Sequence, residues 1–482
     1  MSNRRTVLGL GAVAGGMLVT AKLSTELLER WPGGARPGDP RFRPAAAAVD
    51  VPPPFTVPMP VPKELRPVIA SAGVDVFRVD MTPATVEILP GVRTPALTFG
   101  GQFVGPTIRA RAGRTALVQF TNRIDMEANV HLHGGHVPAS SDGFPTDVIA
   151  PGRSRTYTYP NTQPGATLWY HDHAHGMEAE DVYRGLHGFY LIDDDAERGL
   201  QLPQGEYDVP IMLRDAAFAA DGTLDFASFA RPVVLANGRP QPYFKVAARK
   251  YRLRLLNAAN TRVFTLTLGE GATMTQVGSD GGLLPAPVPR TELTLASAER
   301  QDVIVDFSKF PLGSQVVLRD ATSGPVLRFD VVRRAADASR VPAALRPLPP
   351  IPAATAERDV TMSFDLSRPM PVGMLNGHAF DANRVDIAVR RGSTEIWRIG
   401  NGDPPGFDHT FHMHATHFRV LDRDGKAPTP DDAGWKDTIY VPAGARNIRV
   451  AVTFPQTTGK YVYHCHFLEH SAAGMMGVME IQ

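Results

Sequence analysis

The sequence predicts an all-β chain built as three β-sandwich units, and three observations predict it. Short β-branched and aromatic runs, among them TALVQFTN, SRTYTYP, YRLRLLNAAN, FTLTLG, RQDVIVDF, TEIWRIGN and NIRVAVTFP, recur between Gly, Pro, Asn and Asp turns, the punctuation of a sandwich. One strand ending in asparagine appears three times, as VQFTN at 118–122, RLRLLN at 252–257 and EIWRIGN at 395–401, which marks a repeated unit. Length agrees, because 482 residues with 43% apolar content suffice for about three domains with cores of their own.

The elements follow in chain order. Arg4 and Arg5 precede an uncharged run from Thr6 to Ala21, which reads as a twin-arginine export signal over 1–21 and predicts a periplasmic or secreted protein that meets the twin-arginine export machinery. The alternative is a retained anchor, but this glycine-rich run falls short of the roughly twenty apolar residues a spanning helix needs. No other stretch could span a bilayer, so no stable membrane insertion is expected. Residues 22–65, with WPGGARPGDPRFRP and VPPPFTVPMPVP, form a proline-rich arm expected to be extended or wrapped along the surface. Unit one is assigned to 66–200, unit two to 201–340, a proline-rich linker to 341–354 and unit three to 355–482. LANGRP at 235–240 and MLNGHAF at 374–380 mark the entry to the second and third units. Fifty basic against forty-nine acidic residues point to neither nucleic acid nor a charged membrane surface. A single cysteine excludes an internal disulfide.

That cysteine lies in YHCHFLEHSAAGMM, residues 463–476. On a strand, alternation turns His464 and His466 one way and Cys465 the other. Cys465, His470, a distant histidine and a weak axial Met475 would supply the ligand set of a blue-copper electron-transfer centre, while the flanking histidines would face a different metal. A lone cysteine is often only a small buried hydrophobe, and the remaining histidines weigh against that here. Of fifteen, three lie in HLHGGH (131–136), three in HDHAH (171–175), four in HTFHMHATH (409–417) and three in HCHFLEH (464–470). The four H-x-H pairs offer eight imidazoles, more than the three or four that one zinc ion takes, and the count fits a cluster of several coppers.

These four motifs resemble those of the multicopper oxidases, the laccase-like family, over the chain from about residue 70 to the C-terminus. The resemblance implies Greek-key cupredoxin-like sandwiches holding four copper ions. A type 1 copper would accept electrons, and a type 2 ion with a type 3 pair would form a trinuclear cluster that reduces dioxygen to water. Carried over position by position, His131 and His412 match type 2 ligands, and His133, His171, His173, His414, His464 and His466 match type 3 ligands. His409, Cys465, His470 and Met475 match the type 1 set. The trinuclear cluster would then lie between units one and three, with unit two a copper-free spacer. His136, His175 and His417 read as supporting or packing residues, and His187 and His378 as ordinary ones.

Asp142, in SSDGFP, matches a carboxylate that relays protons near the cluster, although Asp-Gly is also a turn signal by itself. Several bacterial relatives carry an acidic residue directly after the last type 1 histidine, where this chain has Ser471, and Glu469 is expected to be exposed or structural. WYHDHAHGMEAEDVYRGLHGFYLI most resembles bacterial laccases and bilirubin oxidases, which implies one-electron oxidation of phenols or aromatic amines. Dioxygen and small reducing substrates would be the partners. A cuprous or ferrous oxidase of the same family remains an alternative, although no methionine-rich segment is present. A copper nitrite reductase would lack four H-x-H pairs, and a non-enzymatic scaffold would have lost ligands.

Overall fold

The computed structural model describes residues 49–482. The expected export signal at 1–21, and the arm as far as residue 48, lie outside the described residues. Six sheets stack in pairs into three β-sandwiches, and each sandwich repeats one pattern. A long first strand runs parallel to the asparagine-ended strand: Val74–Val86 beside Thr115–Asn122, Asp208–Ala216 beside Lys250–Asn257, and Ala356–Asp365 beside Thr394–Asn401. The asparagine-ended strand then pairs antiparallel with Ser154–Tyr159, Arg300–Asp306 or Ile448–Thr453.

The reason for the repeated asparagine is visible in its hydrogen bonds. Asn122 Oδ1 accepts from the Ile124 amide while its Nδ2 donates to the carbonyls of Met126 and Ile149. Asn257 does the same with Ala259, Arg262 and Leu295, and Asn401 with Asp403, Phe407 and Val441. All three are buried, so one side chain satisfies backbone groups that the turn after the strand would otherwise orphan. The Asn-Gly turns at 237–238 and 376–377 take positive φ at both residues, as tight hairpins require. They fall after the first strand of their sandwich rather than ahead of it.

Alternation along the strands builds three large cores, around Phe77, Phe120 and Tyr170, around Leu253, Phe264 and Phe329, and around Trp397, Phe411 and Tyr463. The proline-rich arm is stitched to the body. Phe55 and Met59 amides donate to the Gln241 and Tyr243 carbonyls, Met59 enters the second core, and Glu64–Leu65 runs parallel beside Gly105–Arg111 of the first sandwich. The 341–354 linker has no regular structure but seats Leu345 against Leu202, Val277, Leu283 and Ile304. Among the described residues no helix is long and apolar enough to cross a membrane.

Candidate metal centre

Two strands of the first sandwich and two of the third carry the histidine motifs. His131–His133 pairs antiparallel with Ala166–His171, setting His131 opposite His171. His409–Met413 pairs antiparallel with Gly459–Cys465, setting His412 opposite His464 and Phe411 opposite Cys465. The two pairs meet across the interface, where all eight H-x-H imidazoles are buried.

They sort into groups whose ring nitrogens lie within 4.8 Å of one another: His133, His171 and His466; His173, His414 and His464; and His131 with His412, within reach of His133. The pairs His171/His173, His412/His414 and His464/His466 are each split between two groups, whereas His131 and His133 also meet in one with His412. Alternate residues on a strand stand about 6.6–6.8 Å apart, a spacing that lets the two imidazoles of one pair serve neighbouring ions. In the second group His464 Nε2 is 3.2 Å from His173 Nε2 and 3.3 Å from His414 Nε2. Ligand nitrogens about 2.0 Å from one ion at tetrahedral angles are about 3.3 Å apart, so the spacing suits a single metal ion.

The far side of six of the eight rings is held by the protein, while among the described residues His466 has no partner at either nitrogen and His173 none at Nδ1. His131 Nδ1 bonds to the Asp142 carbonyl at 2.6 Å, His171 Nδ1 to the Asp172 carbonyl at 2.8 Å, His412 Nδ1 to the Asp437 carbonyl at 2.8 Å and His464 Nδ1 to the Cys465 carbonyl at 2.9 Å. His133 presents Nε2 to Asp437 Oδ1 at 3.0 Å. The opposite nitrogens, Nε2 of His131, His171 and His412 and Nδ1 of His133, have no partner among the described residues. A ring fixed through one nitrogen with its second nitrogen turned to its neighbours is oriented as a metal ligand. Burial, reinforced for most of the rings by neighbouring imidazoles, holds all eight well below the usual histidine value, which keeps them in the neutral, ligating form.

On the other face of the Cys465 strand lies a second site. Cys465 Sγ is 3.6 Å from His409 Nδ1 and from His470 Nδ1, and the two nitrogens are 3.1 Å apart. Metal–sulfur and metal–nitrogen bonds of about 2.3 and 2.0 Å at tetrahedral angles give an S···N separation of about 3.5 Å. Met475 is buried beside them, its carbonyl accepting from the Cys465 amide at 3.0 Å. Asp403 Oδ2 lies 3.0 Å from His409 Nε2 and leaves its Nδ1 facing the sulfur. His409 and Cys465 are fully buried, whereas His470 is partly exposed.

Comparison with known proteins identifies the family. Two multicopper oxidase family models match residues 80–197 and 350–482. A laccase of Bacillus stratosphericus is 34% identical over 89% of this chain and 99% of its own. The chain belongs to the multicopper oxidases. A bilirubin oxidase of Albifimbria verrucaria is 33% identical over 88% of this chain and 80% of its own length. The laccase structure from Pediococcus acidilactici superposes with a TM-score of 0.84 at 30% identity, covering 92% of this chain and 97% of that one. The three sandwiches are accordingly cupredoxin-like, and the protein is a copper-dependent oxidoreductase that uses oxygen.

Several residues that support the oxidase's metal centre carried no motif. Asp437 bonds His133 through its carboxylate and His412 through its carbonyl, and its charge is answered by Arg300 of the second sandwich at 2.5 and 2.7 Å. Burial alone would raise the Asp437 carboxyl, but Arg300 and His133 hold it well below the usual range. The second sandwich is therefore not inert toward the cluster. Trp169 lies against His171 and His133, with ring centroids 4.2 and 5.3 Å away.

The remaining residues singled out in the sequence also find places. Asp142 serves turn and site together: Gly143 has φ +81°, and a Cβ there would clash with the Val130 carbonyl, while Asp142 Oδ2 bonds His414 Nδ1 at 2.7 Å. His136 and His417 pair with each other at 3.0 Å, and His417 reaches within 3.4 Å of Asp437. His175 is exposed beside Phe380, His187 is buried on Arg214, and His378 is exposed in a turn. Glu469 is structural and buried rather than exposed, paired with Arg231 at 2.6 Å.

Proposed function

We propose that this oxidase is laccase-like, coupling one-electron oxidation of phenols or aromatic amines to four-electron reduction of dioxygen to water. His409, Cys465, His470 and Met475 would hold a type 1 copper, His131 and His412 a type 2 copper, and the His133 and His173 groups a type 3 pair. Bound copper supplies the one-electron redox chemistry and the site of dioxygen reduction. The observation that carries the reading is the position of Cys465, whose sulfur faces one histidine pair while its chain neighbours His464 and His466 belong to the two type 3 groups.

From that position the protein's own roles follow. The partly exposed edge of His470, flanked by Phe364 and Phe467 at 4.9 and 5.3 Å, is where an aromatic donor would meet the site. Electrons then have a bonded path through Cys465 to His464 and His466. Asp142 holds the back of two rings that belong to different groups, His131 and His414, and we assign it the carboxylate that serves proton transfer there. The ligand set retains every matched position, which favours an enzyme over a scaffold. Dioxygen, small reducing donors and the twin-arginine export machinery are the proposed partners, the last resting on Arg4 and Arg5, with a periplasmic or secreted place of action. The test is oxygen uptake by the copper-loaded protein with a phenolic donor, with water rather than hydrogen peroxide as product. Uptake without phenol consumption, or stoichiometric peroxide, rejects the reading.

A further inference from the structure

The helix Glu178–Arg184 follows the HDHAH loop and packs against the short helix Leu468–Ala472 that carries His470. At that contact the Ser471 hydroxyl donates to Glu178 Oε1 at 3.0 Å. Glu178 is 1% exposed and its Oε2 has no hydrogen-bond partner among the described residues. One turn along the same helix face, Asp181 is 2% exposed and its Oδ2 is likewise unpartnered. The described residues place no Lys, Arg or His within 4.0 Å of either carboxyl, although Glu469, on the same short helix as Ser471, has its charge answered by Arg231. Among the described residues, one buried acid here is thus paired with a cation at contact distance and two are not.

A buried carboxyl without a cation is retained at a cost in stability and stays protonated rather than ionising in a dry site. Burial raises the Glu178 carboxyl to about 8 and that of Asp181 to about 9. Both groups therefore hold a proton at neutral pH and can surrender it, and Glu178 lies near enough to Asp172, the residue between His171 and His173, to feel its charge, which suits a proton donor to a reaction that consumes protons.

We propose that Glu178, anchored by the Ser471 hydroxyl, is a proton-relay residue for dioxygen reduction, refilled by Asp181. The inference rests on the laccase-like reading above. Four electrons from the aromatic donor and four protons convert one dioxygen to two waters. The relayed proton leaves Glu178 as its O–H bond breaks and a new O–H bond of water forms. Asp181 returns a proton to the Glu178 carboxylate and regains one from solvent. Asp172 from the preceding loop and Glu180 and Arg184 of the same helix act on this pair; the packed helix carries Glu469 and His470, and Arg214 donates to the Val182 and Tyr183 carbonyls at the end of the Glu178 helix.

The experiment compares wild type, Glu178→Gln, and Glu178→Gln combined with Ser471→Glu, which returns a carboxyl to the same contact from its other side. In Glu178→Gln the copper content, the blue band and its anaerobic bleaching by a phenol stay at wild-type levels, while steady-state oxygen uptake falls by about 10²-fold and loses its alkaline limb. The double variant recovers at least about tenfold of that loss. In the copper-free protein, the infrared carbonyl band of a protonated acid that titrates above neutral pH is absent from Glu178→Gln. Uptake within about twofold of wild type, an unchanged infrared spectrum, or loss of copper from Glu178→Gln overturns the relay. A wild type that takes up copper but not oxygen overturns the function on which the relay rests, and does so before any substitution is made.

Discussion

Replacing Asp437 by Asn tests how the interface holds its histidines. Asp437 is fully buried, and its carboxylate takes two guanidinium bonds from the equally buried Arg300, one contact to His133 Nε2 and one to Thr438. Removing one partner of a buried ion pair costs roughly 3–5 kcal/mol, because the other charge is left uncompensated. Arg300 still reaches the carbonyls of Thr167, Ala298 and Asp280 at 2.9–3.1 Å and Asp280 Oδ1 at 3.5 Å, and the asparagine oxygen accepts one bond. The cost therefore falls at the low end, about 3 kcal/mol. Denaturant unfolding of the copper-free protein measures it without metal linkage. The loaded variant should also surrender copper to a chelator about tenfold more readily, the low end for a lost outer partner of a ligand. Asp437 is held below the usual carboxylate range, so its stabilisation is complete above the unfolded value of about 3.9 and is lost only as pH falls through the lower folded value. The gap between wild type and variant should persist unchanged from neutrality to about pH 4. A stability loss below about 1 kcal/mol with unaltered copper retention would refute the reasoning.

Asp142→Asn should stay blue and accept electrons from a phenol, while oxygen uptake falls by about 10² to 10⁴; normal uptake would leave Asp142 only its turn. Met475→Leu should retain all its copper and raise the type 1 potential in a redox titration, since removing a thioether donor favours the cuprous state; loss of the blue copper would make Met475 an essential ligand. Glu178 binds its proton more tightly folded than unfolded, so wild-type stability should decline as pH rises from the unfolded value of about 4.3 towards about 8. Glu178→Gln should show a shallower decline in unfolding free energy over that range, and an unchanged slope would mean that the group ionises freely.

The clustering of the histidines was legible in the sequence because ligand spacing is itself chemistry. H-x-H on a strand fixes both imidazoles to one face, and a cysteine between two such histidines must turn to the other. The three sandwiches were legible through their asparagines, whose turn-closing bonds are local, spanning as few as two residues. What the sequence concealed depends on distance. His133 and Asp437 are 304 positions apart, and nothing in WKDTI distinguishes that aspartate from a surface one. Arg300 and Glu178 sit in ordinary strand and helix contexts, and their roles arise only where sandwiches or helices meet. The arm's path over the second sandwich was equally hidden, because proline-rich segments carry no periodicity to say what they cover.

We propose that one cysteine strand joins two copper sites. Copper content measured together with the visible spectrum, for wild type and Cys465→Ser, tests it most directly. Wild type should hold about four coppers per chain and show an intense blue band, and the variant about three coppers, no blue band and a persisting paramagnetic type 2 signal. A fully loaded but colourless wild type, or a Cys465→Ser protein that stays blue, would contradict it.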